Sequence, residues 1–368
     1  MATRRASAGA HSDLAAPEVR IDQLTGQRVI LAPGRAERPD AFAPARPQAR
    51  EESAESCPFC EGREGRTPPE VWASRPDGGE ADSPGWTARS VPNLYPVLVP
   101  AEEAGAGDDA GAAETGLASS VDPLRQSSRV RQPNLFASQP AVGEHEVIIH
   151  APEHVTSLAD LSEERFTGAV AAWRERMRAH ADSAAFLHLI VNEGRDAGAS
   201  LPHSHAQLYA LSFVPAEVAR ERERTGAYHE RTMGGHLLSD VATEEVRRSE
   251  RLVAVDESAI LVCPWASRSP FELRVIPRSP APSFEADGDM GTAMIRRAIT
   301  ALARAVGTAP QLNLWVRTAP RGVEEFCWHV DIVPRLTIRA GFELGTGVDV
   351  NTYPPERAAS DLREAPGD

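Results

Sequence analysis

Two histidines stand two residues apart at the head of an apolar run, in Leu201-Pro202-His203-Ser204-His205-Ala206-Gln207-Leu208-Tyr209-Ala210-Leu211. In a strand, residues i and i+2 share a face, so His203, His205 and Gln207 point the same way. A row of three polar side chains beside a hydrophobic sheet is costly unless they do chemistry or bind something. Taken alone, His-x-His on a strand is more often a metal pair or an ordinary polar face than a nucleophile. Upstream lies Ser56-Cys57-Pro58-Phe59-Cys60, a tight Cys-x-x-Cys that by itself reads as zinc, redox or chance. The two motifs together are sharper, because two Cys and two His form a common tetrahedral zinc set. Cys57 and Cys60 give two ligands, His203 can give a third, and a fourth histidine must come from elsewhere. The pair of motifs points to a zinc site beside a nucleophilic histidine.

The 368 residues, 41% of them hydrophobic, suffice for one large domain or two of moderate size. A net charge of −14 argues against a nucleic-acid surface, but a nucleotide ligand needs only a few local positive groups. The other two cysteines, Cys263 and Cys327, sit in apolar strand-like runs and read as buried core thiols. That usage fits a reducing cytosol and not a disulfide framework. The polar, Ala-rich start has no apolar core of a secretory signal, and no stretch approaches transmembrane length. A cytoplasmic protein without membrane or nucleic-acid partners is expected.

Residues 1–17 read as disordered. Arg20 to Ile30 reads as two short strands around a Thr-Gly turn. Residues 101–130, rich in Ala, Gly, Asp, Glu and Ser without periodicity, read as a solvated acidic insertion. Glu146 to His150 is a β-branched strand. Ser162 caps a helix with the stripe Phe166, Val170, Trp173 and Met177, and Ala185 to Val191 is a buried strand. The second half repeats this order. Ala259 to Cys263 and Phe271 to Pro277 are strand-like, and a helix carries Met290, Met294, Ile299, Leu302 and Val306. Strands Gln311–Val316 and Phe326–Val333 follow, with His329-Val330-Asp331 in the place of His203-Ser204-His205. The expected fold is α+β, with two similar halves, 18–214 and 252–360, each an antiparallel sheet with a helix, from internal duplication. A charged, helical connection, 215–251, joins them.

Over about residues 20 to 360 the chain resembles the galactose-1-phosphate uridylyltransferases, a branch of the histidine-triad superfamily. The resemblance rests on Arg35-Ala-Glu-Arg38-Pro, Cys57-Pro-Phe-Cys60, Val91-Pro-Asn93, Pro152-Glu-His154, Asn192, Gly198-Ala-Ser200, His203-Ser-His205-Ala-Gln207 and Gly341-Phe-Glu343-Leu-Gly-Thr-Gly347. It implies zinc held by Cys57, Cys60, His154 and His203, one ion per chain, structural because protein fills all four positions. It implies His205 as the nucleophile and Gln207 as a ligand of the phosphoryl oxygens. Asn93, Asn192 and Ser200 become nucleotide contacts, Arg35 and Arg38 positive groups near the site, and Glu343 a hexose contact. Some members carry a second metal. Glu221 and His329 fall at two of its positions, but Val316 or Arg317 and Asp331 replace the other ligands, so none is expected here. The resemblance further implies a homodimer and a double displacement between UDP-glucose, or another nucleotide sugar, and a hexose-1-phosphate. The His-Ser-His form is also similar to a plant relative that transfers adenylyl from ADP-glucose to phosphate, so an ADP-sugar phosphorylase is the alternative. A third reading is a zinc-stabilised nucleotide-binding protein without turnover.

Overall fold

The computed structural model describes residues 16–37, 54–104, 136, 138 and 140–365. Arg38, nearly all of the segment expected to be disordered and most of the acidic insertion lie outside the described residues.

Thirteen strands and six helices are described. The strands are β1 (Glu18–Ile21), β2 (Arg28–Leu31), β3 (Trp72–Ser74), β4 (Ala88–Pro92), β5 (Gly143–Ile149), β6 (Phe186–Glu193), β7 (His205–Leu211), β8 (Leu252–Val255), β9 (Ala259–Val262), β10 (Leu273–Pro277), β11 (Leu312–Arg317), β12 (His329–Pro334) and β13 (Asp349–Asn351). The helices are α1 (Glu163–His180), α2 (Ala216–Thr232), α3 (Leu237–Arg248), α4 (Thr292–Val306), α5 (Gly341–Thr346) and α6 (Pro355–Glu364). Ten strands form one sheet in the order β3-β4-β5-β7-β6-β11-β12-β10-β9-β8, and β1-β2-β13 form a small second one. Every pairing in the large sheet is antiparallel. The architecture is thus mixed α+β, as the patterning predicts. Both sides of the β6–β11 seam run strand, strand, strand, helix, strand, strand in chain order, β3-β4-β5-α1-β6-β7 and β8-β9-β10-α4-β11-β12.

Strand periodicity divides the sheet's two faces. Along β7, Ala206, Leu208 and Ala210 are buried, in one core cluster with Leu187, Leu189 and Val191 of β6 and Leu314 and Val316 of β11. On that face lies α1, whose capping Ser162 accepts from the Arg165 amide and whose Phe166, Val170, Trp173 and Met177 are all buried. Truncating Trp173 to alanine would cost about 3–5 kcal/mol. Helix α4 covers the second half similarly with Met294, Ile295, Ala298, Ile299 and Leu302. It starts at Thr292, so Met290, expected on its stripe, precedes it and only packs against the core.

The other face carries His205, Gln207 and Tyr209 of β7. Through the register it also carries His145 of β5, Asn192 of β6, Asn313 and Arg317 of β11, and His329 and Asp331 of β12. One expectation shifts by two residues. β7 begins at His205 and β12 at His329, and the amides of Ser204 and Trp328, one residue earlier, bond Val155 and Ala281 at 2.7 and 2.8 Å. Cys327-Trp328-His329, not His329-Val330-Asp331, therefore takes the place of His203-Ser204-His205.

Candidate active site and metal centre

Four predicted ligands converge beside the head of β7. The Sγ of Cys57 lies 3.5 Å from His203 Nδ1, and the Sγ of Cys60 lies 3.4 Å from His154 Nδ1 and 3.7 Å from His203 Nδ1. The four ligand atoms all fall within 4.8 Å of one another. Bonds of about 2.3 Å to sulfur and about 2.0–2.1 Å to nitrogen, at tetrahedral angles, put neighbouring S and N ligands about 3.5 Å apart, so the group fits one zinc-sized ion. Burial and the neighbouring Cys57 push the Cys60 thiol up to about 11. A cation is what would favour the thiolates. Burial lowers His203 to about 4, against the opposing bond to Ala151. Its Nε2–H donates to the Ala151 carbonyl at 2.9 Å, leaving the Nδ1 lone pair toward the cysteines.

His205 sits against this knuckle, its ring 5.3 Å from that of Phe59. Its Nδ1–H donates to the His203 carbonyl at 2.8 Å. The tautomer is thereby fixed, and the lone pair is on Nε2, which has no protein partner among the described residues. Burial lowers its pKa, so the ring is neutral at cell pH. The arrangement offers an oriented, unprotonated imidazole nitrogen, which is what a nucleophilic histidine needs.

Gln207 lies two residues along the same face. Its Oε1 accepts from Tyr209 Oη at 2.9 Å and from His145 Nε2 at 3.0 Å. The Val97 amide donates to His145 Nδ1 at 3.4 Å, so the proton is on Nε2. Asn93 lies beside this group, its side-chain nitrogen 3.1 Å from His145 Nε2, and with the proton on Nε2 that approach brings two donors together and is not a hydrogen bond. On the next strand, Asn192 Oδ1 accepts from Asn313 Nδ2 at 2.7 Å.

Behind β7, on the α1 side, Ser204 links two buried groups. Trp173 Nε1 donates to His150 Nε2 at 2.9 Å, so His150 Nδ1–H donates to Ser204 Oγ, also at 2.9 Å. Ser204 in turn donates to Glu193 at 3.3 Å, which also accepts from Ser157 Oγ and the Leu158 amide. Burial pushes Glu193 up to about 7 despite these donors. The turn leading out of β6 needs glycine at 194, where φ is +81° and a Cβ would lie 2.3 Å from Gln311 Cγ.

Not every predicted residue joins this assembly. Arg35 is exposed in the 3-10 turn Pro33–Glu37, and Ser200 is exposed in the loop before β7. Glu343 accepts from the Ala340 amide at 3.0 Å and so caps its own short helix, α5. Among the described residues, none of the three bonds to His205, Gln207 or Asn192. His145, Tyr209, Asn313 and the His150–Ser204–Glu193 chain went unread in the sequence. Tyr209 was within reach, because the i, i+2 period that joins His205 to Gln207 continues to it. Asn313 gave no local signal.

In the second half, His329 lies among charges. Its Nδ1 is 3.8 Å from Glu221 of α2 and its Nε2 is 3.6 Å from Asp331. Arg317 lies 3.4 Å from Glu221, and Arg274 lies 2.6 Å from Asp331. Burial drives His329 down to about 3 and Glu221 up to about 7. Burial also works against an ionised Asp331, yet Arg274 holds it well below the usual carboxylate range.

An antiparallel α+β fold with a Cys/His cluster beside an oriented histidine defines a class, and comparison with known proteins places the chain within it. Residues 117–215 match the family profile of the galactose-1-phosphate uridyl transferase N-terminal domain. An ADP-glucose phosphorylase of Arabidopsis thaliana is 32% identical over 363 residues, 95% of this chain and 93% of that protein. A galactose-1-phosphate uridylyltransferase of Haemophilus influenzae is 32% identical over 160 residues, 44% of this chain and 42% of that protein. Among solved structures, an Arabidopsis thaliana ADP-glucose phosphorylase with bound ADP-glucose aligns at a TM-score of 0.75 and 27% identity, over 96% of this chain and all of that one. The chain belongs to the galactose-1-phosphate uridylyltransferase family of the histidine-triad superfamily, and its relatives are nucleotidyl-transferring enzymes.

Proposed function

We propose that this protein is a nucleotide-sugar phosphorylase, with ADP-glucose as donor and inorganic phosphate as acceptor. The observation that carries the reading is the near-complete match, in sequence and in structure, to a relative described as an ADP-glucose phosphorylase.

The reaction runs in two displacements at the adenosine-side phosphorus. His205 Nε2 attacks it, the phosphorus–oxygen bond to the sugar phosphate breaks, and glucose 1-phosphate leaves with the electron pair. The His203 carbonyl, accepting from Nδ1–H, supports the positive charge that develops on the ring. A phosphate oxygen then attacks the same phosphorus, the phosphorus–nitrogen bond breaks, and ADP and free His205 result. Gln207 and Asn192 offer neutral amide donors to the non-bridging oxygens, so they do not fix the covalent intermediate by charge. Cys57, Cys60, His154 and His203 would hold zinc, whose contribution is to lock the His203 backbone against the cysteine loop. No step passes through it. We also infer that the two halves derive from one duplicated unit, the second having lost the nucleophile's setting.

Uridylyl transfer from UDP-glucose to a hexose-1-phosphate is the second reading, favoured by the profile match and the Haemophilus influenzae relative. An acceptor panel separates the two. The purified protein is given ADP-glucose or UDP-glucose with either phosphate or galactose 1-phosphate. Release of ADP that requires phosphate is the expected result. Formation of UDP-galactose at a higher kcat/KM would overturn the phosphorylase reading.

A further inference from the structure

We propose that Tyr209, His145 and Asn313 are positioning residues that orient the side-chain amides of Gln207 and Asn192, so that both present their nitrogens to the phosphoryl group. The proposal rests on the nucleotidyl-transfer reading above and deepens it.

The two ends of a side-chain amide differ only in what they offer, a donor at nitrogen and an acceptor at oxygen. An amide free to flip would present its oxygen to a phosphoryl oxygen, which repels. At Gln207 both acceptor directions of Oε1 are filled, by Tyr209 Oη at 2.9 Å and His145 Nε2 at 3.0 Å. The two donors are themselves packed together, their rings stacked at 4.1 Å; the Val97 amide 3.4 Å from Nδ1 favours the His145 proton on Nε2, where Gln207 Oε1 is its acceptor and the Asn93 amide nitrogen, 3.1 Å away, is a second donor that cannot take it. At Asn192, Oδ1 is held at 2.7 Å by Asn313, whose nitrogen is steadied by a second bond to the Ala197 carbonyl at 2.8 Å. Asn192 and Asn313 are register partners across the β6–β11 seam.

Among the described residues, neither Gln207 Nε2 nor Asn192 Nδ2 has an acceptor. Both belong to the face that carries His205. Gln207 is two residues further along β7, and Asn192 is the residue of β6 that follows Val191, the partner of Ala206. Two donors thus stand fixed on that face before the donor substrate arrives, and fixed donors need no reorganisation as charge moves through the phosphoryl oxygens.

The test uses the two diastereomers of the nucleotide sugar that the wild-type protein turns over, each with one non-bridging oxygen of the nucleoside-side phosphorus replaced by sulfur. Sulfur accepts hydrogen bonds poorly, so an aimed donor makes the protein prefer one diastereomer. Formation of the nucleotidyl-histidine is followed in single turnovers, with zinc content and circular dichroism as checks on folding. Tyr209→Phe and His145→Leu are expected to slow this step by about tenfold each, the effect of one lost hydrogen bond. They should also shrink the preference between diastereomers. His145→Gln, which restores a donor toward Gln207, should recover much of both. Asn313→Leu should act in the same way through Asn192.

His205→Ala separates this proposal from the reading beneath it. Transfer that survives His205→Ala overturns nucleotidyl-histidine chemistry altogether. If His205→Ala is inactive but Tyr209→Phe and His145→Leu keep the wild-type rate and preference, the positioning proposal alone is wrong. An equal slowing of both diastereomers with an unchanged preference, in folded protein, also overturns it, because that is a general structural effect.

Discussion

His205 and His329 open β7 and β12, and each turns its Nδ1 back to the carbonyl two residues earlier, at 2.8 and 3.4 Å. The amide one residue before each is also tied to a loop carbonyl. The backbone device is shared, and the chemistry around it is not. Two residues on, the first histidine has Gln207, a neutral amide, while the second has Asp331, a carboxylate 3.6 Å away. Glu221 of α2 lies over His329, and Arg317 and Arg274 pair with the acids around it. A nucleophile needs a free lone pair and room for an incoming phosphorus. His205 has the first through its tautomer and the second through the absence of an acid at its open nitrogen among the described residues. The second histidine lies in a buried cluster of carboxyl groups and arginines. What distinguishes the two sites is the charge of the companions on the face, not the histidine.

The largest effect is expected where the comparison is most direct. His205→Ala should lower nucleotidyl transfer by on the order of 10⁴-fold or more, as removal of a covalent nucleophile does, with the fold intact. His329→Ala should leave transfer within about tenfold and instead destabilise the protein by about 2–3 kcal/mol, the cost of depriving a buried charged cluster of a member. Exchange of labelled glucose 1-phosphate into the nucleotide sugar measures the first, and urea unfolding the second. A comparable loss of exchange in both variants would break the contrast.

Next in size is the contrast between the two kinds of cysteine. Cys57 and Cys60 lie in the His154–His203 cluster. Burial drives the Cys263 thiol well up and Cys327 up to about 12, and neither belongs to a metal group among the described residues. The Cys57→Ala/Cys60→Ala pair should lose about one zinc per chain and about 3–5 kcal/mol of stability, or roughly 5 °C in Tm. Cys263→Ala should keep its zinc. Elemental analysis of both proteins, alongside thermal melts, reads the difference. Full zinc in the first pair would move the metal centre elsewhere.

Local rules carried the sequence reading wherever one element decides the outcome. The α1 stripe, the His205–Gln207 face and the Cys57, Cys60 and His203 members of the metal-binding cluster were legible because helix period, strand period and ligand chemistry are local or chemically distinctive, whereas His154 came only from the family resemblance. Asn313 was not, because its role depends on which strand of the second half pairs with β6, and that register is set across the seam by burial of Leu314 and Val316. The two-residue offset between the triplets has a similar origin. Residue identity placed His329 against His203, whereas the geometry of the strand heads places it against His205. Glu343 read as a sugar ligand, and in the folded chain its carboxylate accepts from the Ala340 amide at the start of a six-residue helix that no apolar period announced. Ser204 is the converse. It read as a departure from the better-known proline, and its hydroxyl bridges His150 and Glu193 only once three separate elements are assembled.

The smallest effect concerns pH, and it tests whether the second cluster was built for charge at all. Burial outweighs Arg317 and Arg274 and pushes Glu221 up to about 7, whereas an unfolded glutamate titrates near 4.5. Below the unfolded value both states carry the proton and the group contributes nothing to the pH dependence. Between the two values the unfolded chain releases its proton while the folded one keeps it, so stability must fall as pH rises. The fall ends above about pH 7, and its ceiling is about 3 kcal/mol. Glu221→Gln removes that titration while keeping the shape. The difference in unfolding free energy between variant and wild type should therefore drift in the variant's favour from pH 4.5 to 7, whatever its starting value, and then level off. Arg317 opposes this, and its pull decides how much of the ceiling is realised. If the difference instead stays flat across that range, the glutamate is ionised in the folded protein. The cluster would then be a true ion pair with Arg317, and the contrast with the neutral setting of His205 would be sharper still.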